Sequence, residues 1–233
     1  MSTIADNVLS VRERIHAAAR TVGRDIATVG LLAVSKTKPA AAVREAHGAG
    51  IADFGENYLQ EALDKQAQLR DLPLSWHFIG PIQSNKTRPI AEHFDWVHSV
   101  DRLKIAQRLS EQRPANMAPL NICIQVNVSG EASKSGCSAA DLPALAAAIV
   151  ALPNLQLRGL MAIPEPTDDR AAQDTAFATV RRLLQDLNLP LDASPLDSLS
   201  MGMSHDLESA VAQGATWVRI GTALFGARDY GQP

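Results

Sequence analysis

Ile4, Val8, Val11, Ile15, Ala18 and Val22 recur at spacings of three and four, which gathers them on one face of an amphipathic helix that Gly23 ends. From Leu31 the periodicity changes. Leu31 to Val34 is continuously apolar, as a strand covered on both faces must be. Thereafter strand-like and helix-like stretches alternate. Strands are predicted over 30–35, 51–54, 76–79, 95–99, 120–128, 155–162, 199–202 and 217–221, the fifth being the longest. Helices are predicted over 39–48, 57–70, 101–112, 139–151, 168–187 and 205–213, and a Gly80-Pro81 turn follows the third strand. This order predicts an α/β fold: a single TIM-type (β/α)8 barrel with an additional N-terminal helix that packs against or caps it. An open doubly wound sheet is the alternative, but no Gly-x-Gly-x-x-Gly follows the first strand. No interior tract rich in Gly, Pro or Ser divides the chain, so residues 1–233 are expected to form one domain.

Composition narrows the function classes. Hydrophobic residues make up 46% of the chain, enough for a packed core. The formal charge of −3 creates no global basic field, so nucleic acid is not an expected partner. Cys123 and Cys137 form no metal-ligand spacing with the six histidines, and no metal site is expected. Cys123 lies in an apolar run and reads as a buried, reduced thiol, which favours a cytoplasmic location. Asp6, Arg12, Glu13 and Arg14 stand where an export signal needs an apolar block. The most apolar later stretch, 142–152, is too short to span a bilayer and contains Pro143, so membrane insertion is not expected.

The chemistry gathers at the strand exits, where ligands of parallel barrels bind. Lys36 ends the first strand, and Pro39 fits the opening of a helix. Desolvation there would lower the ammonium pKa and free an amine to attack a carbonyl, whereas a solvated strand-end lysine is the plainer reading of this stretch alone. Ser200-Met201-Gly202-Met203-Ser204 and Arg219-Ile220-Gly221-Thr222 end the last two strands, the usual phosphate position of a barrel. Glycines there admit an anion close to the main chain, and Ser200, Ser204 and Thr222 supply hydroxyls. Ser204 also reads as a helix N-cap, and Asp206 and Glu208 must point away from any phosphate. Arg219 either faces inward to an anion or acceptor or makes an outward salt bridge. His77 reads first as a hydrogen-bonded core histidine. Lys38, Lys86, Arg88 and Lys134 make the mouth locally basic, and Lys134 could visit the site from its loop. A ligand with an aldehyde or ketone and a phosphate satisfies this set, as pyridoxal 5′-phosphate or as a keto-sugar phosphate.

Several stretches carry a family resemblance: Ala33-Val34-Ser35-Lys36-Thr37-Lys38-Pro39, Phe54-Gly55-Glu56-Asn57-Tyr58, His77-Phe78-Ile79-Gly80-Pro81-Ile82-Gln83-Ser84-Asn85-Lys86, Ser133-Lys134-Ser135-Gly136, Leu160-Met161, Leu199 to Ser204, and Val218 to Thr222. In them the chain resembles the pyridoxal-phosphate homeostasis proteins, small barrels related to the N-terminal domain of alanine racemases. The one departure is Ile82, where leucine is common. The resemblance implies an aldimine between Lys36 and pyridoxal phosphate. It implies that Ser200, Gly221 and Thr222 hold the phosphate, that Met201, Gly202 and Ser204 shape its cup, and that Arg219 faces the pyridine nitrogen. Asn57 and His77 would lie near the ring.

The resemblance also implies a protein that holds, buffers or delivers the cofactor without catalysis, with apo enzymes as possible recipients. A weak amino-acid racemase is the alternative, and a Schiff-base aldolase is a third reading. A racemase of this barrel type has a second domain that completes its dimer. Only 12 residues follow Gly221, so a monomer is expected here. A racemase also needs acid–base groups on both substrate faces, and only Lys36 can be named for one of them.

Overall fold

The computed structural model describes residues 2–129, 135–187 and 196–227. Eight strands close into a parallel barrel in chain order: β1 Gly30–Val34, β2 Asp53–Glu56, β3 Ser75–Phe78, β4 Trp96–Val100, β5 Leu120–Gln125, β6 Leu155–Met161, β7 Ser198–Ser200 and β8 Trp217–Ile220. β8 returns to β1 with Leu31 beside Val218 and Leu32 beside Arg219. The outer helices are α1 Ile4–Thr21, α2 Ala40–Gly48, α3 Leu59–Gln68, α4 Thr87–His93, α5 Leu103–Gln112, α6 Leu142–Val150, α7 Arg170–Leu187, α8 Leu207–Ala212 and α9 Thr222–Phe225. This is the (β/α)8 architecture with an N-terminal helix that the hydrophobic pattern predicts.

α1 begins in a capping box, with the Thr3 hydroxyl accepting from the Asp6 N–H and the Asp6 carboxylate accepting from the Thr3 N–H. Its face of Val8, Val11, Ile15, Ala18 and Ala19 is buried against α2, α8 and α9, so the helix joins the outer layer. The main core lies between the sheet and these helices. A second apolar cluster of Trp96, Cys123 and Met161, with Trp217 against it, is separate from the first. The Arg158 guanidinium lies 5.0 Å over the Trp96 ring and pairs with Asp197.

The differences from the predicted elements have local causes. β2 starts at Asp53 rather than 51, because the Ile51 N–H turns back to the Ala46 carbonyl after Gly50, at φ 86°, as helix-terminating turns do. β5 ends at Gln125 because Val126 leaves the ladder and bridges Cys137, so β6, not β5, is the longest strand. α4 and α9 have seven and four residues, too short for the helical period to show in the sequence. α8 begins at Leu207 with Asp206 as its cap residue, so Ser204 is not the N-cap.

Both cysteines are free and buried. Burial pushes the Cys123 thiol up to about 12 and the Cys137 thiol up to about 11. Because only the thiolate attacks, iodoacetamide at about pH 8 is expected to leave both unmodified in the native chain and to label both in denaturant. Mass spectrometry of the two samples checks this, and fast native labelling of either cysteine would contradict it.

Candidate functional site

β1 and β8 are ladder neighbours, so the residues at their C-terminal ends meet at one side of the barrel mouth. There a cavity of about 230 Å³ is lined by Lys36, Lys38, Asn57, Ser204, His205, Arg219, Gly221 and Thr222, with Val34, Ile79, Ile163 and Met203 as its apolar walls. Of the residues singled out in the sequence, Lys36, Asn57, Ser204, Arg219, Gly221 and Thr222 thus share one wall-to-wall space. His77, Ser200, Met201 and Gly202 do not line it.

The segment carrying Lys36 is held on both sides by a buried ion cluster. Lys65, from α3, lies 2.7 Å from Glu61, 2.5 Å from Glu56 and donates to the Ser35 carbonyl at 2.7 Å. The Ser35 hydroxyl donates to Glu56, and the Thr37 N–H donates to Glu61 at 2.6 Å. Thr37 sits at φ 64°, a conformation that a β-branched residue adopts only when its surroundings impose it. Burial raises the Glu56 carboxyl above its ordinary value, against the opposing pull of Lys65. The turn that presents Lys36 is therefore fixed by a cluster in which Glu56 and Lys65 are buried and Glu61 reaches the surface.

Asn57 is placed by a close backbone approach. A Cβ on Gly80 would lie 2.3 Å from the Asn57 carbonyl oxygen, so only glycine lets the loop after β3 pass there. The Asn57 Oδ1 is buried and has no hydrogen-bond partner, an acceptor open to a bound group. Behind the cavity, Gly202 has φ 92°, and its Cβ would meet the Ala210 Cβ at 2.4 Å. Its carbonyl accepts from the Arg219 N–H, which ties the β7 exit to β8. Met201 is fully buried.

The acidic residues near this wall are engaged elsewhere. Asp206 accepts from the Met203 N–H, and Glu208 takes both ends of the Arg14 guanidinium on α1 at 2.8 and 2.9 Å. Lys38 donates to the Ala227 carbonyl at 2.7 Å, which places Ala227 against the mouth. Lys134 lies outside the described residues. Among the described residues no cluster of His, Cys, Asp or Glu could hold a metal ion, and no helix is long and apolar enough to cross a membrane.

Arg219 faces inward. It is 5% exposed, donates to the Ser200 hydroxyl at 2.8 Å and to the Ala162 carbonyl at 2.8 Å, and also lines the cavity. Burial lowers its pKa to about 10, which still leaves it charged at neutral pH. The Ser200 hydroxyl is 2.7 Å from His98 Nδ1, a contact between β7 and β4 that crosses the barrel interior because these strands are not neighbours. His98 Nε2 is 3.0 Å from His77 Nδ1, and His77 Nε2 is 3.1 Å from Asp53. His77 is thus a core histidine. Sequence reasoning missed His98, although it breaks an apolar strand as His77 does, and it missed Glu56, Lys65 and His205.

Barrels of this kind stand at the head of alanine racemases: residues 5–229 match the family of the alanine racemase N-terminal domain. A solved alanine racemase from Corynebacterium glutamicum shares this fold at a TM-score of 0.66 and 16% identity, with 63% of its length covered. The pyridoxal phosphate homeostasis protein of Pseudomonas aeruginosa is 77% identical over 100% of this chain and 99% of its own, and that of Escherichia coli K12 is 53% identical over 99% of each. PipY of Synechococcus elongatus, solved with pyridoxal phosphate bound, superposes at a TM-score of 0.85 with 42% identity, covering 96% of this chain and all of its own. The chain belongs to the pyridoxal phosphate homeostasis protein family.

Two outcomes follow from the buried charges. Lys65→Met leaves Glu56 without a cation and is expected to destabilise the fold by about 3–5 kcal/mol in chemical denaturation, with Glu56→Gln in the same chain restoring part of it. A loss of only ~0.5 kcal/mol, as for a surface pair, would contradict that. His77 and His98 are held below the ordinary imidazole value of 6.5, chiefly by burial. The unfolded chain therefore binds more protons than the native one below that value. Stability is expected to be intact above it and to fall as pH drops through it, by up to about 1.4 kcal/mol per pH unit for each histidine. Urea midpoints measured from about pH 7 to about pH 5 test this, and a flat profile would contradict it.

Proposed function

We propose that this chain binds pyridoxal 5′-phosphate at the barrel mouth and holds, buffers or delivers it without catalysing a reaction. The observation that carries the reading is the shared cavity of Lys36 and the buried cation Arg219, with the unpartnered Asn57 Oδ1 beside them. Those residues fit the group: an amine for its aldehyde, a permanent donor for its ring nitrogen, and hydroxyls and glycine main chain for its phosphate. Lys36 would hold the group through its aldehyde, with Nζ as the amine nucleophile. Arg219 would oppose the ring nitrogen. Ser204, Gly221 and Thr222 would hold the phosphate, with Ser200, Met201 and Gly202 supporting that wall from behind. Asn57 would accept a hydrogen bond near the ring, and His77 would act at a distance, through His98.

When bound, the cofactor supplies an aldehyde for amines and a ring that can withdraw electrons. A guanidinium opposite its ring nitrogen does not hand over a proton, so that withdrawal is weak. Racemisation also needs acid–base groups on both substrate faces. Among the described lining residues there is no tyrosine; Tyr58 lies outside the cavity, 54% exposed. The named relatives support a homeostasis role, since the chain matches them over nearly their whole length. The likeness to alanine racemases, at 16% identity, supports the fold alone. A cytoplasmic monomer that passes the cofactor to apo enzymes completes the reading.

Absorbance spectra of the wild type and Lys36→Ala, each mixed with pyridoxal phosphate, test the proposal. The wild type is expected to gain a new band that borohydride fixes on Lys36, as peptide mapping would show, and the variant to lack it. Loaded wild type is expected not to interconvert D- and L-alanine above a protein-free control. Identical spectra for the two proteins would overturn the binding site, and sustained racemisation would overturn the non-catalytic role.

A further inference from the structure

A file of polar groups runs through the barrel interior from Asp53 to Arg219, and the chemistry of its members allows it only one direction. Arg219 has donors and no acceptors, so Ser200 Oγ accepts from it at 2.8 Å. The Ser200 hydrogen then has one acceptor within reach among the described contacts, His98 Nδ1 at 2.7 Å. With Nδ1 accepting, neutral His98 carries its proton on Nε2 and donates to His77 Nδ1 at 3.0 Å. His77 in turn carries its proton on Nε2, where Asp53 accepts at 3.1 Å and the Ser75 hydroxyl stands equally near. The reverse order would set a bare imidazole nitrogen against the Asp53 carboxylate, acceptor against acceptor.

The surroundings keep the middle of the file dry. His77 stacks on Trp96 with ring centroids 5.5 Å apart and an interplanar angle of 1°, and Trp217 meets it edge-on at 5.1 Å. His77, His98 and Ser200 are all fully buried, so each must find its partner within the file.

We propose that His98, backed by His77 and Asp53, is a positioning residue for Arg219: it orients the Ser200 hydroxyl so that the oxygen lone pairs face the guanidinium and hold it aimed into the mouth cavity. Protonated on Nδ1, His98 would take the acceptor away from the serine hydrogen and set a second positive charge beside Arg219. Burial, His77 and Arg219 all oppose that charge. The consequence for a bound ring rests on the pyridoxal phosphate reading; the file itself does not.

Nitrogen-15 NMR on the ligand-free protein tests the file directly. Both imidazoles are expected as neutral Nε2–H tautomers throughout the neutral range, with the Arg219 Nη protons in slow exchange. A His98 that is charged or protonated on Nδ1 in the wild type overturns the proposal, and that measurement needs no variant. In His98→Phe the Arg219 protons are expected to exchange rapidly. In His98→Asn, whose side-chain oxygen can replace Nδ1 as acceptor, they are expected to stay protected. Unchanged protection in a folded His98→Phe overturns the proposal.

Pyridoxal phosphate titration supplies the second arm. His98→Phe is expected to bind about tenfold more weakly than the wild type, with a displaced absorption maximum, and His98→Asn to behave as the wild type. Equal affinity and spectrum in all three overturn the positioning role. Should the wild type itself fail to bind, the functional reading falls, while the tautomers and Arg219 exchange still decide the file.

Discussion

The guanidinium of Arg219 carries a charge that the barrel cannot remove, and much of the interior is arranged to accommodate it. Burial pulls its pKa down to about 10, far short of neutralising it at physiological pH. No ion pair among the described residues includes it, so its donors rest on a hydroxyl and a main-chain carbonyl. Those neutral acceptors must be oriented, because a serine hydroxyl can donate as easily as it accepts. The guanidinium also lines the mouth cavity, where a ligand could meet its remaining donors. An arginine held in this way is an anion or acceptor receptor before any ligand arrives.

Closure of the barrel converts that receptor into a two-ended site. Arg219 stands beside Leu32 in the ladder between β8 and β1, and Lys36 follows β1 by two residues. Their separation is therefore set by strand register, which side-chain motion cannot change. The Glu56–Lys65–Glu61 cluster does for Lys36 what the histidine file does for Arg219. It pins the main chain on both sides through Ser35 and Thr37 and leaves the lysine side chain at the cavity. Each end of the site is held for a different reason: one rests on a largely buried ion cluster, the other on a hydrogen-bonded file of a serine and two imidazoles.

The alternation of apolar runs and helical stripes made the barrel legible, since eight short strands separated by helices leave little choice of topology. Short elements leave little trace: α4 and α9 are too brief to show a period, and β5 reads too long in the sequence because Val126 and Val128 extend the apolar pattern past the end of the strand. The mouth residues were legible too, because Lys36, Asn57, Ser204, Arg219, Gly221 and Thr222 all stand at strand exits. What could not be read was depth. Ser200 and Ser204 look alike in a glycine-and-serine loop, yet one is buried in the interior and the other lines the cavity. The partnership of His77 with His98 depends on two neighbouring strands facing inward, with His98 two residues beyond the register partner of His77, and that of His98 with Ser200 on a contact across the interior. Neither leaves a mark in local sequence. Glu56 and Lys65 were invisible for the same reason, since charged residues in a sequence read as surface.

The two ends of the site also bear on what a bound pyridine ring would meet. A carboxylate opposite a pyridine nitrogen keeps that nitrogen protonated and makes the ring a strong electron sink, whereas a guanidinium, being a donor already, leaves it neutral. The interior here suits a donor at this position: Ser200 accepts from Arg219 and faces His98 Nδ1, and a carboxylate in place of the guanidinium would leave Ser200 facing an acceptor instead of a donor. Exchanging the arginine for an acid would thus require reversing the serine, both imidazoles and their contact with Asp53 together. The donor at the mouth is thus backed by the barrel interior as far as Asp53.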